Sequence, residues 1–266
     1  EYKLDYLLID EIQDLSPSRI RLLSKLNKYA CVMAGDLNQS VFIKRQLSWI
    51  ELGMKFKDNE NDPNIKKLAN NYRSTIPVQN LANNYRRICK IKDDNAVSIP
   101  FIPGQKPEFS INRNLDEAFN KILTKVKCFI EVMRFNPKDI CIVVPTDENL
   151  IRIKGLLSDN HLEALKIDDS RFDFRKSNDV IRLSTTKMVK GIDSPVIILL
   201  LSESFTDLSK NGNTDAMSQM NSIYSCITRT MDILSVQTTE KALKSNLDSN
   251  EENAITKLLK IWEASK

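Results

Sequence analysis

A single histidine, His161, stands among 266 residues. That argues against a Ser-His-Asp triad and against a multi-histidine metal site. Its polar setting, LSDNHLEA, reads as a surface loop. Paired cysteines are missing too: Cys31, Cys89, Cys128, Cys141 and Cys226 lie far apart with no C-x-x-C. An odd number of thiols in apolar surroundings reads as reduced, buried cysteines of a cytoplasmic protein. No apolar run approaches the roughly 20 residues of a membrane span. The start, at Glu1, does not look like a signal peptide. Glycine is scarce, with six residues at 35, 53, 104, 155, 191 and 212. None of them opens a G-x-x-x-x-G-K-S/T loop, the usual cradle for a triphosphate. A strong charge of one sign is also missing. The 39 basic and 35 acidic residues leave a net +4, too mild to announce nucleic acid by itself.

What is present is a globular composition, 41% hydrophobic and 28% charged, in a chain long enough for one large or two medium domains. Short apolar runs alternate with helical periodicity, which is an α/β pattern around mostly parallel sheets. DYLLID (5–10) reads as a fully buried strand, and ACVMAGD (30–36) as a second one. Between them Ser16-Pro17 opens a helix, with Ser as N-cap and Pro at the first helical position. KDNENDPN (57–64) reads as a loop and residues 76–91 as a helix. Residues 92–110 read as irregular, with prolines at 100, 103 and 107. Further helices are expected over 116–135, 148–160, 217–230 and 252–264, and strands over 138–145, 162–167, 179–185, 194–204 and 231–238. The units fall into two groups split near residue 70. The first has only two strands, too few for a stable doubly wound sheet. It therefore reads as the remainder of a larger domain.

Five short stretches carry candidate chemistry. Asp10 and Glu11 end a strand, where ligands of doubly wound folds collect. An Asp there can hold Mg²⁺, and the next Glu can activate a water. The same acids also suit an ordinary helix approach, through the macrodipole. Gly35-Asp36 ends the second strand, and Gln39 follows within reach of a γ-phosphate; a plain Gly-Asp turn is the other reading. NNYRST (70–75) sets a flat ring, Tyr72, beside a phosphate fork, Arg73, or an exposed aromatic beside a solvated charge. STTKMVKGID (184–193) brings hydroxyls and a Lys-Gly pair to a turn suited to nucleic-acid phosphates, or to a strand-to-helix cap. IYSCITRT (223–230) places Arg229 at a helix end, as an arginine finger acting in cis or a cation on a helix C-terminus.

In this order the stretches resemble the UvrD/Rep-like superfamily 1 helicases over nearly the whole chain. LLIDEIQDLSP is similar to motif II, AGDLNQSVF to motif III and NNYRST to motif IV. STTKMVKGID-SPVIILL is similar to motif V, and IYSCITRT-MDILSV to motif VI. The resemblance implies RecA-like P-loop NTPase sheets. Residues 1–70 would be the C-terminal part of a first domain and 71–266 a complete second one, with ATP and Mg²⁺ between them. It implies Asp10 as the Mg²⁺ ligand, Glu11 as catalytic base, Gln39 on the γ-phosphate, Tyr72 on adenine and Arg73 near the phosphates. Gly191 and Asp193 would line the nucleotide, with Asp193 in the place of a ribose-contacting Glu. Arg229 would stabilise the transferring phosphoryl. Thr185 would touch the nucleic-acid backbone, with Phe42, Lys44 and Trp49 as further contacts to single-stranded DNA.

The match has gaps. The triphosphate loop lies upstream of motif II in this family, so the chain reads as a fragment lacking the N-terminal half of the first RecA-like domain. Lys187 and Asp193 replace a His and a Glu of motif V. Lys44 stands where a base-stacking Trp is common. About 12 residues, 168–179, occupy the place of a large inserted helical subdomain. Three functions remain in view. One is a 3′ to 5′ helicase. Another is a nucleic-acid-stimulated ATPase switch without unwinding. The third is an unrelated Mg²⁺ enzyme using Asp10.

Overall fold

The computed structural model describes residues 3–36, 66, 68, 70–89, 99–169, 179–205, 216–244 and 252–265. Strand β1 (Leu4–Ile9) runs parallel to β2 (Asn27–Met33). A one-turn 3-10 helix, Ile12–Asp14, and helix α1 (Pro17–Ser24) connect them. The cap forms as the sequence implies: the Ser16 hydroxyl accepts the Arg19 N–H, and Pro17 takes the first helical position. The expected full burial of β1 does not occur. Tyr6 is 70% and Leu8 78% exposed. An unbroken apolar run predicts cover on both faces, whereas this two-stranded sheet keeps apolar side chains in solvent, Tyr29 and Val32 on β2 among them.

The larger body is a six-stranded sheet in the order β5-β10-β9-β6-β8-β7. Its strands are β5 (Glu108–Asn112), β6 (Ile140–Val144), β7 (Ala164–Lys166), β8 (Ile181–Thr185), β9 (Ser194–Leu201) and β10 (Thr230–Thr239). Every pairing is parallel. Its helices are α2 (Ile76–Ile88), α3 (Leu115–Lys127), α4 (Asp147–Ser158), α5 (Ala216–Thr228), α6 (Glu240–Lys244) and α7 (Ala254–Glu263). Strand periodicity sorts the core into two layers. Ile140, Ile142 and Val144 of β6 join Phe119 and Ile122 of α3 and Ile153 of α4. Cys141 and Val143 join Leu81 and Tyr85 of α2, Ile223 of α5 and Leu258 of α7. Helices thus cover both faces, so β6 and β9 are apolar along nearly their whole length, and the expected α/β class with parallel sheets holds.

The stretch expected to be irregular contains two strands. β4 (Ile99–Ile102) pairs in parallel with β3 (Asn70–Thr75), and β5 forms a sheet edge. Prolines hid them, yet Pro100 lies in a two-stranded sheet, where every strand is an edge, the position at which a strand tolerates proline. The helix expected over 116–135 is α3 followed by a π-helical turn at Cys128–Val132. Burial of all five thiols is also corrected: Cys128 is exposed and Cys31 half-buried, while Cys89, Cys141 and Cys226 are buried. All five are free. His161 is exposed, in a left-handed turn with φ 59° after α4. Among the described residues no helix is long and apolar enough to cross a membrane. The loop expected at 57–64 lies outside the described residues.

Candidate functional site

The acidic side begins where β1 ends. Asp10 is exposed, and its Oδ1 accepts the Glu11 N–H at 2.8 Å. Glu11 has φ 52° and ψ 43°, a left-handed conformation that costs a non-glycine residue about 1–2 kcal/mol. Its neighbours hold it there. Gln13 Nε2 donates to Glu11 Oε2, and Gln13 Oε1 accepts the Asp36 N–H at 3.1 Å. The Ile12 N–H donates to the Ala34 carbonyl at 3.1 Å. Gln13 is only 1% exposed, so its amide is a buried brace between the turns that follow β1 and β2. Gly35 makes room for it: a Cβ at that position would lie 2.4 Å from Gln13 Oε1 and 2.7 Å from Ile12 Cγ2.

The basic side is built at the starts of β9 and β10. Asp193 immediately precedes β9 and Arg229 immediately precedes β10, and the strands' first residues, Ser194 and Thr230, are register partners. The Ser194 N–H donates to the Arg229 carbonyl at 3.1 Å, which keeps the two residues side by side. Arg73 arrives on β3. The hydroxyls beyond it pin that strand, Ser74 to the Thr230 carbonyl at 2.7 Å and Thr75 to the Asp232 carbonyl at 3.3 Å. From below, Arg182 of β8 donates to the Asp193 carbonyl at 3.1 Å and to Ser194 Oγ at 2.8 Å. Arg182 is 5% exposed, and this burial draws its pKa below the ordinary guanidinium value. Gly191 turns the chain into Asp193 with φ 78°, a conformation that glycine adopts without strain.

The two sides meet through charge. Arg229 Nη2 lies 3.6 Å from Glu11 Oε1, and its Nη1 lies 3.6 Å from Asp193 Oδ1. Arg73 Nε lies 3.0 Å from Asp193 Oδ2. Lys190 Nζ lies 2.5 Å from Asp14 Oδ1, with the two side chains only 10% and 24% exposed. Glu11, Arg229, Asp193 and Arg73 therefore form one continuous ionic chain drawn from four separate segments. Asp10 and Glu11 follow the carboxyl end of β1. The larger sheet contributes Asp193 and Arg229 from the amino ends of its strands instead.

Tyr72, next to Arg73, is 73% exposed and stacks on Phe101 with ring centroids 5.5 Å apart and planes 16° from parallel. Thr185 is 7% exposed, and its carbonyl accepts the N–H groups of Met188 and Val189 at 3.0 and 3.1 Å. Gln39, Phe42, Lys44 and Trp49 lie outside the described residues. Sequence reasoning passed over Gln13, Lys190's pairing, Phe101 and Arg182. Only Arg182 carried a local signal, a lone charge inside the apolar run VIRLST.

The set combines groups whose chemistry suits a divalent cation, an oxyanion and a flat aromatic ring. An exposed carboxylate such as Asp10 suits Mg²⁺, which takes one or two carboxylates and keeps water and phosphate oxygens as its other ligands. Among the described residues no three His, Cys, Asp or Glu side chains gather into a dedicated metal cage. Two guanidinium groups facing one anion suit phosphate oxygens, and the Tyr72 ring offers a flat face to a base.

Residues 1–59 match the family model of the UvrD/REP helicase N-terminal domain. Among solved structures, the chain is similar to the C-terminal domain of a possible DNA helicase from Lactobacillus plantarum WCFS1. The two share 13% identity and a TM-score of 0.45, over 63% of this chain and 87% of that one. No curated protein matches the chain. The segment that carries Asp10, Glu11 and Gln13 is thus UvrD-like.

Proposed function

We propose that these residues are the outer half of an ATP site, in the C-terminal part of a UvrD-like helicase that moves 3′ to 5′ on single-stranded DNA. One observation carries this reading: the contact of Arg229 with Glu11, within the chain Glu11–Arg229–Asp193–Arg73. It brings a water-activating carboxylate and a phosphate-stabilising guanidinium to one place from opposite units. Residues 1–70 and 71–266 are then the end of one RecA-like domain and the whole of a second. The triphosphate cradle comes from a segment outside these residues.

In the proposed reaction Glu11 takes the proton of the attacking water, held in line by Gln13. Arg229 and Arg73 balance the charge that grows on the transferred phosphoryl group. Tyr72 stacks on the base, with Phe101 fixing its ring from the other side. Asp10 would hold Mg²⁺, which when bound neutralises charge on the phosphate oxygens. Burial of Arg229 and Gln13 preorganises the site, so little reorganisation is required at the moment of reaction.

The test is ATP hydrolysis by the intact protein with and without single-stranded DNA, together with strand displacement from a tailed duplex. The helicase reading predicts stimulated hydrolysis and displacement, both lowered about 10²-fold or more in Glu11→Gln. Stimulated hydrolysis without displacement would replace the helicase by a nucleic-acid-dependent ATPase switch. One observation favours that second reading. Only residues 167–180 separate β7 from β8, too few for an inserted helical subdomain.

A further inference from the structure

Asp193 stands where the family resemblance puts a ribose contact, but its carboxylate is engaged differently. One oxygen faces Arg229 Nη1 at 3.6 Å and the other faces Arg73 Nε at 3.0 Å. The backbone of the same residue is fixed by buried Arg182 and by the turn at Gly191. The carboxylate is thus a rigidly mounted anion between two guanidinium groups, each with the planar fork that fits an oxyanion. Arg229 is 6% exposed at its side chain, and desolvating such a cation without a counter-anion is unfavourable. Asp193 and Arg73 are 38% and 42% exposed at theirs, so this edge of the cluster is open to an incoming ligand.

We infer that Asp193 is a resident stand-in for phosphate. It holds Arg73 and Arg229 together while the site lacks nucleotide, and a phosphate group engages the two arginines by displacing it. This rests on the ATP-site reading and deepens it, since it sets an internal anion in competition with the ligand. The ligand class is a polyphosphate oxyanion, and recognition at this point needs neither base nor ribose. The competition is local: the backbone of Asp193 stays anchored, and only its carboxylate gives way. No bond is made or broken.

The test is calorimetric binding of inorganic tripolyphosphate and of ATP to the intact protein at low ionic strength. Asp193→Asn keeps the shape and removes the competing charge, and it should tighten tripolyphosphate binding about threefold to tenfold, the range left for two part-exposed ion pairs. Asp193→Glu should stay within about twofold of the parent, since it keeps the charge. Arg73→Gln should weaken binding. If Asp193→Asn weakens ATP binding and leaves tripolyphosphate binding unchanged, Asp193 is a ribose contact and the inference falls. If Arg73→Gln weakens binding while Asp193→Asn fails to strengthen it, the inference falls and the ATP-site reading stands. If Arg73→Gln has no effect, or the intact parent protein binds neither ligand, both fall. Thermal melts of each variant identify any that fail to fold. Should Asp193→Asn be one of them, Asp193→Ser, with its shorter neutral side chain, takes its place under the same criteria.

Discussion

Gly35→Ala isolates the brace between the two acidic turns. The new Cβ would lie 2.4 Å from Gln13 Oε1, 2.7 Å from Ile12 Cγ2 and 3.1 Å from the Ile12 nitrogen, all inside ordinary contact distance. Neither neighbour has room to yield, since Ile12 is 0% and Gln13 1% exposed. Overpacking of this kind costs about 1–3 kcal/mol. Pushing the Gln13 amide aside also gives up its bond to the Asp36 N–H, worth about 1 kcal/mol. The expected destabilisation is therefore about 2–4 kcal/mol, read by urea unfolding followed by circular dichroism. Gln13→Ala supplies the control, because it loses the brace without a clash. In the double variant the Gln13 part of the clash is gone, so its cost should fall at least about 1 kcal/mol short of the sum of the two single costs. A Gly35→Ala cost below about 0.5 kcal/mol, or strict additivity in the double variant, would refute the brace.

Three further outcomes follow from the same geometry. Lys190→Ala should cost about 1–3 kcal/mol, between the values for exposed and fully buried pairs, because it strands Asp14 at an ion pair that is 10% and 24% exposed. Urea unfolding measures that loss, and Asp14→Asn in the same background should recover part of it. Gly191→Ala should cost about 1–2 kcal/mol from its φ of 78° alone, since no atom lies within 4 Å of the new Cβ, and Gly191→Asn should cost less. Cys128 should be alkylated first at pH 8, while Cys89 and Cys141, whose thiols are pushed up to about 11 by burial, stay unreactive until the chain unfolds. Their folded pKa lies above the unfolded value of 9.0. That contribution to stability is therefore complete below pH 9 and lost as pH rises towards 11, which an alkaline melting series would record.

Residue type and order made one half of the candidate site legible. Asp10 with Glu11, and Arg229, each adjoin an element whose signals were local, an apolar run and a helix-to-strand change, whereas Tyr72 and Arg73 lie inside β3, a strand with no such signal. Gln13 was illegible because its role depends on burial beside a partner 23 residues away, and Arg182 showed itself only as a lone charge in an apolar run, with its partners 11 and 12 residues on. Asp193 was read as a ribose contact because its pairing with Arg73 depends on how β3 sits against β10, a contact that no local pattern encodes. The larger sheet was read well, since strands covered on both faces advertise themselves as apolar runs. β4 and β5 escaped because prolines and edge positions mask the pattern. β1 misled in the opposite direction, carrying the apolar run of a buried strand on a sheet that leaves it exposed.

Arg229 and Glu11 are proposed to act on one phosphoryl group. Steady-state ATP hydrolysis by the intact protein, stimulated by single-stranded DNA, tests it most directly through Arg229→Gln, with a thermal melt to verify folding. A fall in kcat of about 10³-fold or more is expected, with KM changed little, the loss that follows removal of an arginine finger. A folded variant whose kcat stays within about threefold of the parent, well short of the loss of a transition-state contact, would contradict it.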